Sequence, residues 1–318
     1  MAEKEDRNFF LNHRVPIDED PEDSTMDKKL IINVAPTGAF IKRYQNPRQP
    51  YSPAEIAAEV IAAYQEGASV WHVHIRDEEG VPDNNPETVL RALDMVLEKC
   101  PDISFSHTSH VDNTRKGAAG LQPLVDPLID ASKKRGHRYI HSVVIAPYPR
   151  GYEMDEAILK DMITYLEQND IAPEFQIHNY SCISHVRDWL LKDGTLKGNC
   201  IMNLVSGFHG NDFSGPTGPE PWGKLYLMSL LKVLPEGCVI GATVGGHSWL
   251  PMIVEAIMLG ADCVRVGMED SIWLYPHKSE KISSCAQVVK KIANIARELG
   301  REIATPAEAR RIMGIKEF

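Results

Sequence analysis

Two histidines one residue apart, His72 and His74, are followed at once by Arg76 and Asp77. The run from Ala68 to Asp77 is rich in β-branched and apolar residues and reads as a strand. Side chains alternate across a strand, so both imidazoles point to one face. Two imidazoles on one face at a strand end can give two ligands to a single metal ion. They can also be two ordinary strand histidines bonded to backbone. Near the other end of the chain, Glu269-Asp270 offers a carboxylate that would complete an open, catalytic type of zinc site. The same pair can be a solvated acidic loop. Arg265 sits inside an apolar strand, should point inward and needs a partner, for which Asp270 and Glu174 are the candidates. A structural ion pair in the floor of the fold is the plainer reading.

These residues need elements to position them. From Lys29 onward, short apolar runs alternate with helical patterns. The strand candidates are Leu30–Val34, Val70–Ile75, Ile103–Phe105, Tyr139–Ile145, Glu174–His178, Ile201–Val205, Val239–Thr243 and Cys263–Val266. Ser52-Pro53-Ala54-Glu55 opens a first helix with an N-cap, a proline at N1 and a Glu at N3, and Gly67 stops it. Asn85-Pro86-Glu87 opens a second. Further helices are expected at Leu124–Lys134, Asp155–Asn169, Ser184–Leu191, Trp222–Leu234, Ser248–Leu259 and Ala286–Leu299, with a short terminal one after Thr305-Pro306. Regular βα alternation calls for a parallel sheet covered by helices, and eight units favour a (β/α)₈ TIM barrel with its site at the strand ends. A doubly wound open sheet competes, but no Gly-x-Gly-x-x-Gly follows the first strand. The expected organisation is a single α/β domain over residues 29–318, ending in an extra helix, preceded by a polar arm over residues 1–28. Phe9, Phe10 and Leu11 could dock that arm on its own domain or on another subunit.

The expected strand ends concentrate polar groups. The third runs into Ser106-His107-Thr108-Ser109-His110, the fifth ends at His178, the sixth leads to His209 and the seventh to His247. Core packing alone does not explain that concentration.

Composition bounds the partners. The chain has 318 residues, 43% hydrophobic and 25% charged, which is ordinary for a globular protein. A net charge of −10 argues against nucleic acid, which selects a basic footprint. No apolar run is long enough to span a membrane, and the charged N-terminus lacks the apolar stretch of a signal peptide. The six cysteines are scattered without a Cys-x-x-Cys, as in reduced cytoplasmic proteins, and none is assigned a role.

Three stretches together resemble the β-keto acid cleavage enzymes, a family of zinc-dependent (β/α)₈ proteins, from about Leu30 to Gly314. They are His72-Val73-His74-Ile75-Arg76-Asp77 running on to Gly80-Val81-Pro82, Val264-Arg265-Val266-Gly267-Met268-Glu269-Asp270, and Glu302 to Arg310. The resemblance implies that a β-keto acid and acetyl-CoA exchange parts to give acetoacetate and a new CoA thioester, by condensation and retro-Claisen cleavage. It implies one zinc per chain on His72, His74 and Glu269. It implies Asp270 as the base that removes the proton next to the thioester, with Arg265 orienting it and Glu174 as a further catalytic residue. Beside a metal and Arg265, Asp270 should be ionised at neutral pH. Asp77 is one candidate partner for a second ring nitrogen of the metal-bound histidines. Substrate contacts implied are Arg76, His107, Thr108, Ser109 and Phe40. A cytoplasmic homotetramer is the assembly implied.

The chain departs from the family pattern in four places. His107-Thr108-Ser109-His110 stands where Ser/Thr-Thr-Gly-Gly is usual, and Ala146-Pro147-Tyr148-Pro149 is atypical. Ser271 follows Glu269-Asp270 in place of Asn. Phe40 replaces the acidic residue of members that act on amino-substituted keto acids, so a substrate without an amino group is expected, and the extra His107, His110, His178, His209 and His247 suggest a more polar, anionic one. Two rivals stand beside this reading. One is a metal-dependent hydrolase of the amidohydrolase kind, whose His-x-His belongs on the first strand and which often holds two metals. The other is a barrel without catalysis.

Overall fold

Eight parallel strands close on one another in chain order, the first against the last included. A computed structural model describes residues 25–109, 116–147, 154–207 and 228–316. The strands are β1 (Ile31–Val34), β2 (Val70–Val73), β3 (Ser104–Thr108), β4 (Ser142–Ile145), β5 (Ala172–Ile177), β6 (Ile201–Ser206), β7 (Val239–Val244) and β8 (Cys263–Val266). Helices α1 (Pro53–Gln65), α2 (Pro86–Leu97), α3 (Ala118–Arg135), α4 (Glu156–Gln168) and α5 (Tyr180–His185) follow the first five strands. After β7 and β8 come α6 (Trp249–Met258), α7 (Cys285–Glu298) and the terminal α8 (Pro306–Met313). The fold is therefore the (β/α)₈ barrel. The first part of the helix expected at Trp222–Leu234, up to residue 227, lies outside the described residues, as do Phe9, Phe10, Leu11, His110, Tyr148, Pro149 and His209.

Local chemistry sets the helix starts. Ser52 accepts from the Glu55 N–H while the Glu55 side chain reaches back, and Thr305 with Glu308 does the same, each with proline in the first turn. The expected strand limits shift by a few residues. β3 runs on to Thr108, and β4 starts three residues after Tyr139. Helix α5 passes into a wider-wound turn over Val186–Leu191.

Alternation sorts the strand residues into two cores. Trp71, Phe105, Val143, Phe175, Met202 and Val264 face the helices. Trp71 and Phe105 meet edge to face with centroids 5.9 Å apart. Each such fully buried large side chain contributes roughly 1.5–3 kcal/mol. Inside the barrel, Ile31, Val70, Ile201, Val239 and Cys263 form a second core that Ala309 and Met313 of α8 and Ile315 cover. The strand-start end is thus plugged by apolar groups. The polar groups lie above the plug, towards the strand ends.

Candidate active site

His72 and His74 leave β2 on the same side, with ring centroids 5.0 Å apart. Glu269 meets them from the loop after β8. Its Oε1 is 3.4 Å from His74 Nε2 and its Oε2 is 3.7 Å from His72 Nε2. All three ligand atoms lie within 4.8 Å of one another, and among the described residues no other three His, Cys, Asp or Glu converge in this way.

Backbone geometry places that carboxylate. Gly267 has φ 154°, and a Cβ there would stand 2.0 Å from the Ala35 carbonyl oxygen. Only glycine allows this approach. Ala35 O in turn accepts from the Glu269 N–H at 3.1 Å. Gly38 lies against the Glu269 side chain, where a Cβ would come within 2.6 Å of Cγ.

Arg265 extends from β8 and binds Asp270 with two parallel bonds, Nε to Oδ2 at 2.9 Å and Nη2 to Oδ1 at 2.5 Å. The same Nη2 is 3.6 Å from Glu269 Oε1. Of its two candidate partners, Arg265 therefore takes Asp270. Glu174 is buried, and its carboxylate accepts from Asn203 Nδ2 at 2.9 Å and from the Ser142 hydroxyl. It stands in the barrel interior on hydrogen bonds to neighbouring strands.

The charges fit these contacts. Burial, with Arg265 adding to it, holds His72 well below the ordinary histidine value, so the ring is neutral and able to ligate. Burial alone would raise Glu269, but Arg265, His74 and His72 outweigh it and hold the carboxyl far below the usual range. Asp270 goes the other way. Burial, reinforced by Glu269, pushes it up to about 6 against the pull of Arg265. That is a higher value than the ion pair alone suggests, and the group is still mostly ionised at neutral pH. His178 is held at about 4 by burial, with Arg265 adding to the effect.

The donor set suits a divalent metal ion. Two imidazoles and a carboxylate leave a coordination position open. Glu269 Oε2 is buried without a hydrogen-bond partner among the described residues, as a carboxylate oxygen reserved for a cation would be.

Several expected contacts lie elsewhere. Arg76 is fully buried, and its guanidinium donates to the carbonyls of Gly38, Ile41 (2.8 Å) and Gly80 (3.2 Å). It clamps the loop after β1, with these donors spent on backbone carbonyls. Asp77 Oδ1 accepts from the N–H groups of Glu79 and Val81 and shapes its own turn. His107 shares the outer face of β3 with Phe105, and its Nε2 bonds the Tyr139 carbonyl at 2.9 Å, which removes it from the substrate side. Ser109 gives its hydroxyl to the Val144 carbonyl. Thr108 keeps the inner-face parity of Ser106. Phe40 is 73% exposed, so any contact with substrate would be made at the lip of the barrel. His247 stacks on Trp273 at 4.3 Å.

Some positioning groups escaped the sequence reading. Asn203, which holds Glu174, and the Ala35 carbonyl, which holds the Glu269 backbone, carry no local signal.

The family model for beta-keto acid cleavage enzyme matches residues 29–315. The 3-keto-5-aminohexanoate cleavage enzyme of Acetoanaerobium sticklandii is 29% identical over 91% of this chain and 100% of its own length. The 3-oxoadipate:acetyl-CoA acetyltransferase of Cupriavidus necator is 26% identical, over 91% of this chain and 96% of that protein. The 3,5-dioxohexanoate:acetyl-CoA acetone transferase of Paraburkholderia graminis is 27% identical with the same coverage, 91% and 96%. A solved structure, the ternary complex of ObcA with C4-CoA adduct and oxalate, shares the fold with TM-score 0.66 at 19% identity, over 84% of this chain and 68% of that one.

Proposed function

Because the chain belongs to the beta-keto acid cleavage enzyme family, we propose that it converts a β-keto acid and acetyl-CoA into acetoacetate and a new acyl-CoA, using one zinc ion. The observation that carries this reading is the meeting of His72, His74 and Glu269 with the Arg265–Asp270 pair at one end of the barrel. Two of the relatives are named for transfers involving acetyl-CoA, which supports the co-substrate. Bound by the three ligands, zinc would supply a Lewis acid for the keto carbonyl, an effect worth several kcal/mol.

Atom balance decides which proton Asp270 removes. Acetoacetate must combine the acetyl group of acetyl-CoA with the CH₂–COO⁻ unit of the keto acid. The new bond therefore joins C2 of the keto acid to the acetyl carbonyl carbon. Asp270 takes the proton from C2, and the reading that placed it next to the thioester is corrected. The C2 carbanion adds to the thioester and the CoA thiolate leaves. The thiolate adds to the original keto carbonyl, the C2–C3 bond breaks, and C2 regains a proton from Asp270. The bidentate grip of Arg265 keeps Asp270 aimed through both transfers. No covalent enzyme intermediate is required.

The same reading takes the enzyme to be a cytoplasmic homotetramer acting on a keto acid without an amino group. No described helix is long and apolar enough to cross a membrane. The hydrolase alternative is not favoured, since the family match lies elsewhere.

The test is metal content together with acetoacetate release from a panel of β-keto acids and acetyl-CoA. One zinc per chain and matched formation of acetoacetate and acyl-CoA are expected. Acetoacetate formed without an equivalent of acyl-CoA, or no turnover with any keto acid by the zinc-loaded protein, would overturn the proposal.

A further inference from the structure

We propose that Cys200 and Cys238 form a reversible dithiol–disulfide pair, open to oxidation by hydroperoxides, at the end of the barrel remote from the catalytic groups. Cys200 immediately precedes β6 and Cys238 immediately precedes β7. Ile201 and Val239 are register partners, and the Val239 N–H donates to the Cys200 carbonyl at 2.8 Å. The two cysteines therefore stand side by side at the starts of neighbouring strands. Adjacent strands run about 4.8 Å apart, inside the roughly 4.4–6.8 Å between Cα atoms that a disulfide spans. Each thiol is the leading influence on the other's titration, as for two groups in close proximity.

Access is unequal within the pair. Cys200 is buried, whereas Cys238 is the one cysteine of the six that is not. It lines a groove of about 720 Å³ at the strand-start end, together with Lys28, Lys29, Arg311 and the acidic Asp262 and Glu308. A peroxide can reach Cys238 through this groove. The neighbouring Cys200 lowers Cys238 below the ordinary thiol value, and Cys238, with burial, raises Cys200. Its access to the groove makes Cys238 the attacking thiol, and the buried Cys200 beside it the resolving one.

The steps balance. The Cys238 thiolate attacks the terminal oxygen of ROOH, the O–O bond breaks, and ROH leaves with a proton. Cys238 is now a sulfenic acid. The Cys200 thiol attacks its sulfur, the S–O bond breaks and water leaves. One hydroperoxide is reduced by two electrons, and two thiols become one disulfide. A small dithiol reverses the change by thiol–disulfide exchange.

The test treats the full-length protein with one equivalent of hydrogen peroxide and maps its peptides without reduction. A Cys200–Cys238 cross-link is expected, with loss of two of the six thiols and full recovery in dithiothreitol. The Cys200→Ser variant should stop at a sulfenic acid on residue 238 that dimedone captures. Wild-type protein that accumulates sulfinic acid at Cys238 without the cross-link, loses thiols elsewhere first, or loses none, would overturn the proposal.

Discussion

The Arg265 guanidinium grips both carboxylate oxygens of Asp270, at 2.9 and 2.5 Å, and lies 3.6 Å from Glu269 Oε1. One cation thus sits between the proposed base and the proposed metal carboxylate. A guanidinium suits this position because its planar fork meets a carboxylate bidentately, which an ammonium cannot do. The pair is buried, so removing one partner leaves an unpaired charge, a loss of about 3–5 kcal/mol.

Substitution of the base should remove the chemistry, with the stability loss from the unpaired Arg265 measured alongside. Asp270→Asn keeps the shape and can still accept one hydrogen bond from Arg265, but it cannot take a proton. General-base loss costs roughly 10²–10⁴ in kcat. The expected result is that loss with metal content unchanged. Steady-state acyl-CoA formation and metal analysis on the same preparation check it, and a variant retaining a tenth of wild-type kcat would exclude Asp270 as the base.

Arg265→Lys should retain charge and lose the fork. A drop of one to two orders of magnitude in kcat, about 1.4 kcal/mol per tenfold, is expected, with a smaller change in KM. In a double variant with Asp270→Asn the two losses should fall well short of adding, because the residues act as a unit. Additive losses would show that Arg265 acts independently of Asp270.

Much of this architecture is legible in the residues. The eight strands, both proline-bearing capping boxes and the shared face of His72 and His74 follow from local patterns. The strand-end residues were harder. Arg76 reads as a free cation at a strand end, and its burial depends on a loop more than thirty residues earlier folding over it. Asp77 carried a local clue, since Asp-x-x-Gly is a turn pattern that occupies the carboxylate itself. His107 was misplaced because the third strand was cut short at Phe105. Continued to Thr108, alternation puts His107 beside Phe105 and away from the barrel interior. Neither Glu269 nor Asp270 announces which carboxylate faces the histidines. The Gly267–Ala35 contact decides that, and it joins residues at opposite ends of the chain.

Metal removal offers a third prediction. A chelator should abolish turnover, and zinc should restore it. Metal at a hundred times its dissociation constant adds about 2.7 kcal/mol of stability, so the melting temperature should fall on chelation and recover. His72→Ala should bind no zinc tightly and show no chelator-dependent melting shift. Two ions per wild-type chain would instead return weight to the hydrolase reading.

Arg76 should matter for the shape of the site. Its removal strips charged donors from three buried or partly buried carbonyls, at about 1.5–3 kcal/mol for each strong bond. Arg76→Ala should therefore lower stability by several kcal/mol. Gly38, which it holds, packs on Glu269, so zinc affinity should also weaken, by tenfold or more as for other groups that orient metal ligands. Equilibrium denaturation and a zinc competition titration check both. Unchanged zinc affinity in a destabilised variant would confine Arg76 to a structural role.

Acid stability should turn in part on His141. Its Nδ1 accepts the Phe105 N–H at 3.1 Å, a bond only the unprotonated nitrogen can make. Burial holds its pKa well below 6.5, and Arg138, Arg310 and His107 add to the effect. Asp102, His137 and Lys316 line the same cleft. His107, buried on its bond to Tyr139, is held at about 4. Both histidines titrate near 6.5 in the unfolded chain. Between that value and the lower folded values, the unfolded chain binds more protons, so folding stability rises with pH. It is fully present above about 6.5 and is lost as the solution is acidified through the window, by about 1.4 kcal/mol per pH unit for each such group. His141→Asn keeps an acceptor near the Nδ1 position and removes the proton site. Urea midpoints at pH 7 and pH 5 should differ less in this variant than in wild type. An equal difference in the two proteins would show that His141 does not carry its share of the acid response.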